Sequence, residues 1–131
     1  MRVVVLLTIL CSVPLVACAS DGSEWCGPAA LHVTPDRAAP GASVTVSSPA
    51  AACDLGLGEG ATYVVTLHSD TGRRGRPVEA PVSPEGAFSV EVPVPAGFPT
   101  GPASVLVTGS PLDSCGEGAS CAAYTAAMEI E

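Results

Sequence analysis

Six cysteines, two histidines and thirteen acidic residues carry most of the reactive chemistry available to this chain of 131 residues. Cys26, Cys53, Cys115 and Cys121 follow an apolar N-terminal run that contains Cys11 and ends at Cys18. Four thiols can close two disulfides, cycle as a redox pair or bind zinc as thiolates. Cys115 and Cys121 have five residues between them rather than two, and no His lies near them in sequence. Structural disulfides in an exported domain are therefore the expectation. Asp54, Glu59, Asp113 and Glu117 fall in two connecting stretches, where calcium would find oxygen ligands. Their spacing matches no dedicated calcium loop, so solvated loop acids are expected, with a cation or small-ligand site as the alternative. Arg73-Arg74-Gly75-Arg76 gathers three of the four arginines that follow Cys18. Guanidinium forks bind carboxylate and phosphate bidentately, which makes this stretch a candidate docking knob. The plainer alternative is a solvated hairpin tip whose charges oppose edge pairing. Neither a glycine-rich phosphate loop nor His-Glu-x-x-His nor a nucleophile elbow occurs. No catalytic residue, metal ligand or cofactor is expected, and the chain is read as a non-enzyme.

The apolar run sets the address. Residues 1–17 read as a signal peptide, with Arg2 as a minimal basic start and an apolar stretch interrupted only by Thr8, Ser12 and Pro14. The stretch falls short of the roughly 20 apolar residues that a membrane-spanning helix needs. Leu15-Val16-Ala17-Cys18 resembles the bacterial lipoprotein box. The resemblance implies cleavage before Cys18 and lipidation of its thiol, because a thiol is the nucleophile that takes up the diacylglyceride. Acyl chains then bury CH₂ groups at about 0.8 kcal/mol each, and two or more anchor firmly. The expected location is the outer face of the cell membrane. The alternative is an ordinary secreted protein cut near Ala17 or Ala19. Residues 18–25 then form a short tether, with Trp25 at its end as a cap on the domain or as an interfacial anchor.

All acidic residues follow Cys18, so losing Arg2 takes the formal charge from −8 to −9. Bulk electrostatics at that charge disfavour nucleic acid and anionic lipid. Residues 26–131 suit one domain with one core. Aromatics are 4% of the chain, so Val, Leu and Ala must build that core, and cross-links would help it. Lys, Asn and Gln are absent, a bias that fits a high-GC genome.

From Ala29 onward the hydrophobic period is two. Leu31 and Val33 alternate with polar neighbours, and residues 35–41 read as a turn. Val44 and Val46 share a face, as do Tyr63, Val65 and Leu67. Residues 77–82 are a weaker strand whose prolines suit a sheet edge. Phe88, Val90, Val92 and Val94 form another inward set, followed by Val105 and Val107, then by Tyr124, Ala126, Met128 and Ile130. Seven short strands of this spacing indicate an all-β, Ig-like antiparallel sandwich.

The sequence Val33-Thr34-Pro35, Ala39-Pro40-Gly41 and Val44-Thr45-Val46-Ser47 resembles the first hairpin of bacterial Ig-like domains. Pro84-Glu85-Gly86-Ala87-Phe88 and Pro95-Ala96-Gly97-Phe98-Pro99-Thr100-Gly101 resemble later turns of the same domains, which recur in actinobacterial lipoproteins. The chain lacks the core cysteines and the strand-C Trp of antibody-type domains, and Tyr63 is the candidate to fill that place. If the first hairpin is centred near Ala38 and Ala39, Cys26 and Cys53 sit at equal height beyond its open end. Cys115 and Cys121 lie in the connection before the last strand. The pairing favoured is Cys26–Cys53 with Cys115–Cys121, and a bridge from Cys53 across to the last connection stays open. The functional expectation is a membrane-anchored module, held by acyl chains on Cys18, that contacts an envelope protein or glycopolymer and no nucleic acid.

Overall fold

The computed structural model describes residues 26–114 and 122–131. Residues 1–17, expected to be a signal peptide, lie outside the described residues, as do Cys18, Trp25, Cys115, Glu117 and Cys121. Two sheets face each other across one apolar core. The first holds β1 (His32–Thr34), β3 (Ser43–Ser48) and β6 (Phe88–Pro93), in the order β1-β3-β6. The second holds β2 (Arg37–Ala38), β8 (Thr125–Ile130), β7 (Gly101–Thr108), β4 (Thr62–Ser69) and β5 (Val78–Pro81), in that order. A 3-10 turn at Pro111–Asp113 is the only helical element among the described residues. No described helix is long and apolar enough to cross a membrane.

Alternation builds this sandwich directly. Every second residue of β4 is buried, and Tyr63, Val65 and Leu67 have no exposed surface. Val44 and Val46 of β3 and Val92 of β6 meet them from the facing sheet, with Val105 and Val107 of β7 beside them. Burying a side chain of this size stabilises the fold by about 1.5–3 kcal/mol. β5 is an edge strand, which suits Pro77 before it and Pro81 at its end. Val90 is half-buried rather than buried, because β6 is itself an edge.

One stretch departs from the sequence reading. Residues 35–41, expected as a plain turn, contain β2, which runs parallel to β8 through Arg37↔Glu129 and Ala38↔Ile130. The chain leaves β1 through a cis Thr34-Pro35 bond and crosses to the other sheet. There Ala38 is buried, and the backbone continues the pairing as Glu129 N–H donates to Asp36 O. The first strand is thus shared between sheets, so the seven expected strands become eight segments. The other half of the expected hairpin holds: β1 pairs antiparallel with β3 through His32↔Ser47 and Thr34↔Thr45.

Candidate functional site

Two ends of the sandwich carry the residues of interest. The β1–β3 register, continued outward from His32↔Ser47, brings Cys26 level with Cys53. The structure closes that pair as a disulfide, with Cα atoms 5.9 Å apart. The Cys53 bridge to the last connection is thereby excluded. The partner pair, Cys115 and Cys121, lies outside the described residues.

Around this staple the loops are held by tyrosines. Tyr124, just before β8, donates from its hydroxyl to Ala29 O at 2.7 Å and meets Ser48 Oγ at 2.9 Å. Ser48 Oγ also reaches Ala29 O at 3.0 Å. Three chain segments distant in sequence are tied at one point. Tyr63 packs edge-on against both Phe88 and Tyr124, with centroids 5.5 and 6.3 Å away. Tyr63 is fully buried and is the aromatic centre of this end of the core. Its hydroxyl is buried without a hydrogen-bond partner among the described residues. Burial pushes its pKa up, and the neighbouring Tyr124 and Asp113 push it the same way. Burial also raises Tyr124, and the hydrogen bond with Ser48 opposes this. Neither phenol is placed to act as a base at ordinary pH. Ser48 was legible as an inward residue, since it continues the alternation of Val44 and Val46. Its bond to Tyr124, 76 residues away, was not.

Asp54, Glu59 and Asp113, the acidic candidates among the described residues, do not gather into a metal site; Glu117 lies outside the described residues. Asp54 accepts from Gly56 N–H at 2.8 Å. Asp113 accepts from Gly109 N–H across the 3-10 turn. Each carboxylate is engaged in shaping its own loop. Glu59 is exposed, and no group of three or more potential ligands occurs among the described residues.

The arginines lie at the opposite end. β4 runs away from the staple for about 25 Å, and the turn after Ser69 returns toward β5. That turn is well built. Ser69 Oγ accepts from Arg73 N–H at 2.9 Å and meets Thr71 Oγ1 at 2.9 Å. Ser69 N–H donates to Arg73 O, and Gly75 N–H donates to Leu67 O at 2.7 Å. Arg74 stands opposite His68 in an isolated antiparallel bridge. Gly75 presses close to β4: a Cβ there would come 3.2 Å from Leu67 Cβ. Arg73, Arg74 and Arg76 are all exposed, and none has an ion-pair partner among the described residues. Asp70 is the acid within the turn. Beside it lies a shallow depression of about 210 Å³ lined by Ser69, Asp70, Pro102, Ala103 and Ser104.

A third feature is an open groove of about 650 Å³ between β1 and β8. Its walls include Ala29, Leu31, Val33, Tyr124 and Ala126, with His32 the one imidazole and no carboxylate, lysine or arginine among its described lining residues. β2 covers only the last two residues of β8, so the groove follows the stretch of β8 that β2 leaves open.

Comparisons with known proteins bear on the fold. No family model and no curated protein matches the sequence. The structure is similar to part of Salmonella alpha-2-macroglobulin reacted with methylamine, with a TM-score of 0.50 and 17% identity, covering 85% of this chain and 7% of that one. A point mutant of the same macroglobulin gives a TM-score of 0.50 and 17% identity over 89% of this chain and 8% of the other. The chain thus spans a small fraction of that protein, and the likeness establishes an Ig-like β-sandwich.

Proposed function

We propose that this chain is a non-catalytic lipoprotein, anchored through Cys18 at the outer face of the membrane, whose sandwich serves as an interaction module for a protein or glycopolymer of the cell envelope. The observation that carries this reading is polarity of the fold. The chain enters the domain at Cys26, beside the staple, while the exposed arginine turn stands at the far end of β4. A lipid on Cys18 and a short tether hold the stapled end toward the bilayer. The arginine turn then faces outward. The site chemistry agrees with binding rather than catalysis: the described histidines, His32 and His68, lie on separate strands of different sheets, and the buried phenols stay protonated.

Membrane fractionation of the wild-type chain and of Cys18→Ala tests the anchor. Wild type should sediment with membranes and the variant should be released; retention of Cys18→Ala on the membrane overturns the lipid anchor. Crosslinking in cells, with and without Arg73, Arg74 and Arg76, tests the module. Crosslinked partners should be lost from the arginine variant, and an unchanged set of partners argues against the turn as the contact surface.

A further inference from the structure

The arginine turn differs from an ordinary charged hairpin tip in three respects. It is rigid, because four hydrogen bonds among Leu67, Ser69, Thr71, Arg73 and Gly75 fix its path. Its three cations have no ion-pair partner among the described residues, although the chain holds thirteen acids. Its surroundings are small and polar: Ser69, Asp70, Thr71, Gly72 and Gly75 offer no aromatic or large aliphatic anchor. Protein–protein interfaces draw most of their energy from such anchors, packed in desolvated pockets. A turn with guanidinium groups and nothing apolar suits a ligand whose recognition is carried by repeated oxyanions.

The rest of the domain narrows the geometry. Its net negative charge disfavours a polyanion over the rest of the domain, where the other described arginine, Arg37, is paired with Glu131. A polyanionic chain would therefore engage the turn end-on and leave the sheets free. Gly75 contributes directly, because its missing Cβ lets the strand press against Leu67 while the flanking Arg74 and Arg76 stay exposed.

We infer that Arg73, Arg74 and Arg76 form a docking site for a polyanionic envelope glycopolymer, one that bears phosphate or carboxylate groups along its chain. This rests on the orientation given under the proposed function, in which the turn points away from the anchoring bilayer. That bilayer's own headgroups lie at the other end of the domain, about 25 Å of strand away. Each guanidinium–oxyanion contact is charge-assisted and bidentate, and exchange along a repeating chain keeps the site occupied.

The test uses the full lipidated chain in neutral phosphatidylcholine vesicles, with labelled polygalacturonate and labelled inorganic polyphosphate as probes. At least one probe should bind, more weakly as salt rises. Substitution of all three arginines by Gln should weaken binding by about tenfold or more, since each substitution removes a charge-assisted contact. The melting temperature of the variant should match wild type, which separates lost binding from lost folding. Absence of binding to both probes, or equal binding by the variant, overturns the proposal. A further arm mixes the Cys18→Ala chain with phosphatidylglycerol vesicles. Arginine-dependent sedimentation with those vesicles would replace the polymer by a lipid surface. Polymer binding is also read on Cys18→Ala, so failure of the anchor and failure of the docking site give different results.

Discussion

The two ends of this sandwich use polar side chains in opposite ways. At the stapled end they bond to the domain itself. Tyr124, Ser48 and the carbonyl of Ala29 close a buried hydrogen-bonded knot, Asp54 and Asp113 accept from their own loops, and Cys26–Cys53 closes the chain. At the arginine end the turn's backbone is satisfied by Ser69, and three charged side chains are left to solvent. One end secures the fold; the other is available for contact. The contrast follows from connection length. A 13-residue stretch, residues 49–61, links β3 to β4 and needs internal ties to hold a path. The tight turn after β4 is held by the strand it extends.

The sharpest way to break this contrast is to remove the staple. A disulfide spanning 27 residues should contribute about 3–4 kcal/mol through the unfolded chain. Cys26→Ser with Cys53→Ser should therefore lower the melting temperature by about 12–24 °C for a domain of this size. Thermal melts of the double variant measure it, and an unchanged melt removes the staple from the stability argument. Next in size is the tyrosine knot. Tyr124→Phe removes the hydroxyl from the knot, leaving only the Ser48–Ala29 bond, and should cost about 1–2 kcal/mol. Tyr63→Phe removes a hydroxyl that bonds to nothing described, and should cost less than about 0.5 kcal/mol. Denaturant melts of the two variants side by side give the order, and a reversed order would show that the knot lies elsewhere.

Alkaline pH probes the same end more gently. Both phenols have folded pKa values raised above the ordinary tyrosine value of 10.0. The unfolded chain then loses its phenolic protons first, so stability is complete below about pH 10 and declines as pH rises from there toward the folded values. Melts across that range should show the decline in wild type, and a smaller decline in Tyr63→Phe. The smallest effect belongs to the arginine turn. Replacing Arg73, Arg74 and Arg76 by Gln should move stability by no more than about 0.5 kcal/mol, since the guanidinium groups are exposed and unpaired among the described residues. A large loss would mean that the turn is structural after all.

Period-two alternation determined which face of each strand is buried. Tyr63, Val65 and Leu67, Val44 and Val46, and Met128 and Ile130 all point into the core as their spacing requires. Turn residues placed the strand ends, and the symmetric placement of two cysteines about the first turn favoured the Cys26–Cys53 pairing that the structure closes. These features are local, or follow from one antiparallel register, and such a register can be counted along a chain. Only the tertiary structure decided the rest. That residues 37–38 join β8 in parallel depends on an edge left open by β7, far away in sequence. The bonding of Tyr124 to Ser48 and Ala29 likewise required both sheets to be in place. That Asp54 and Asp113 bond within their own loops, while Arg73, Arg74 and Arg76 find no acid among the described residues, is a matter of distance in space. Sequence order carries no record of those distances until the two sheets have packed.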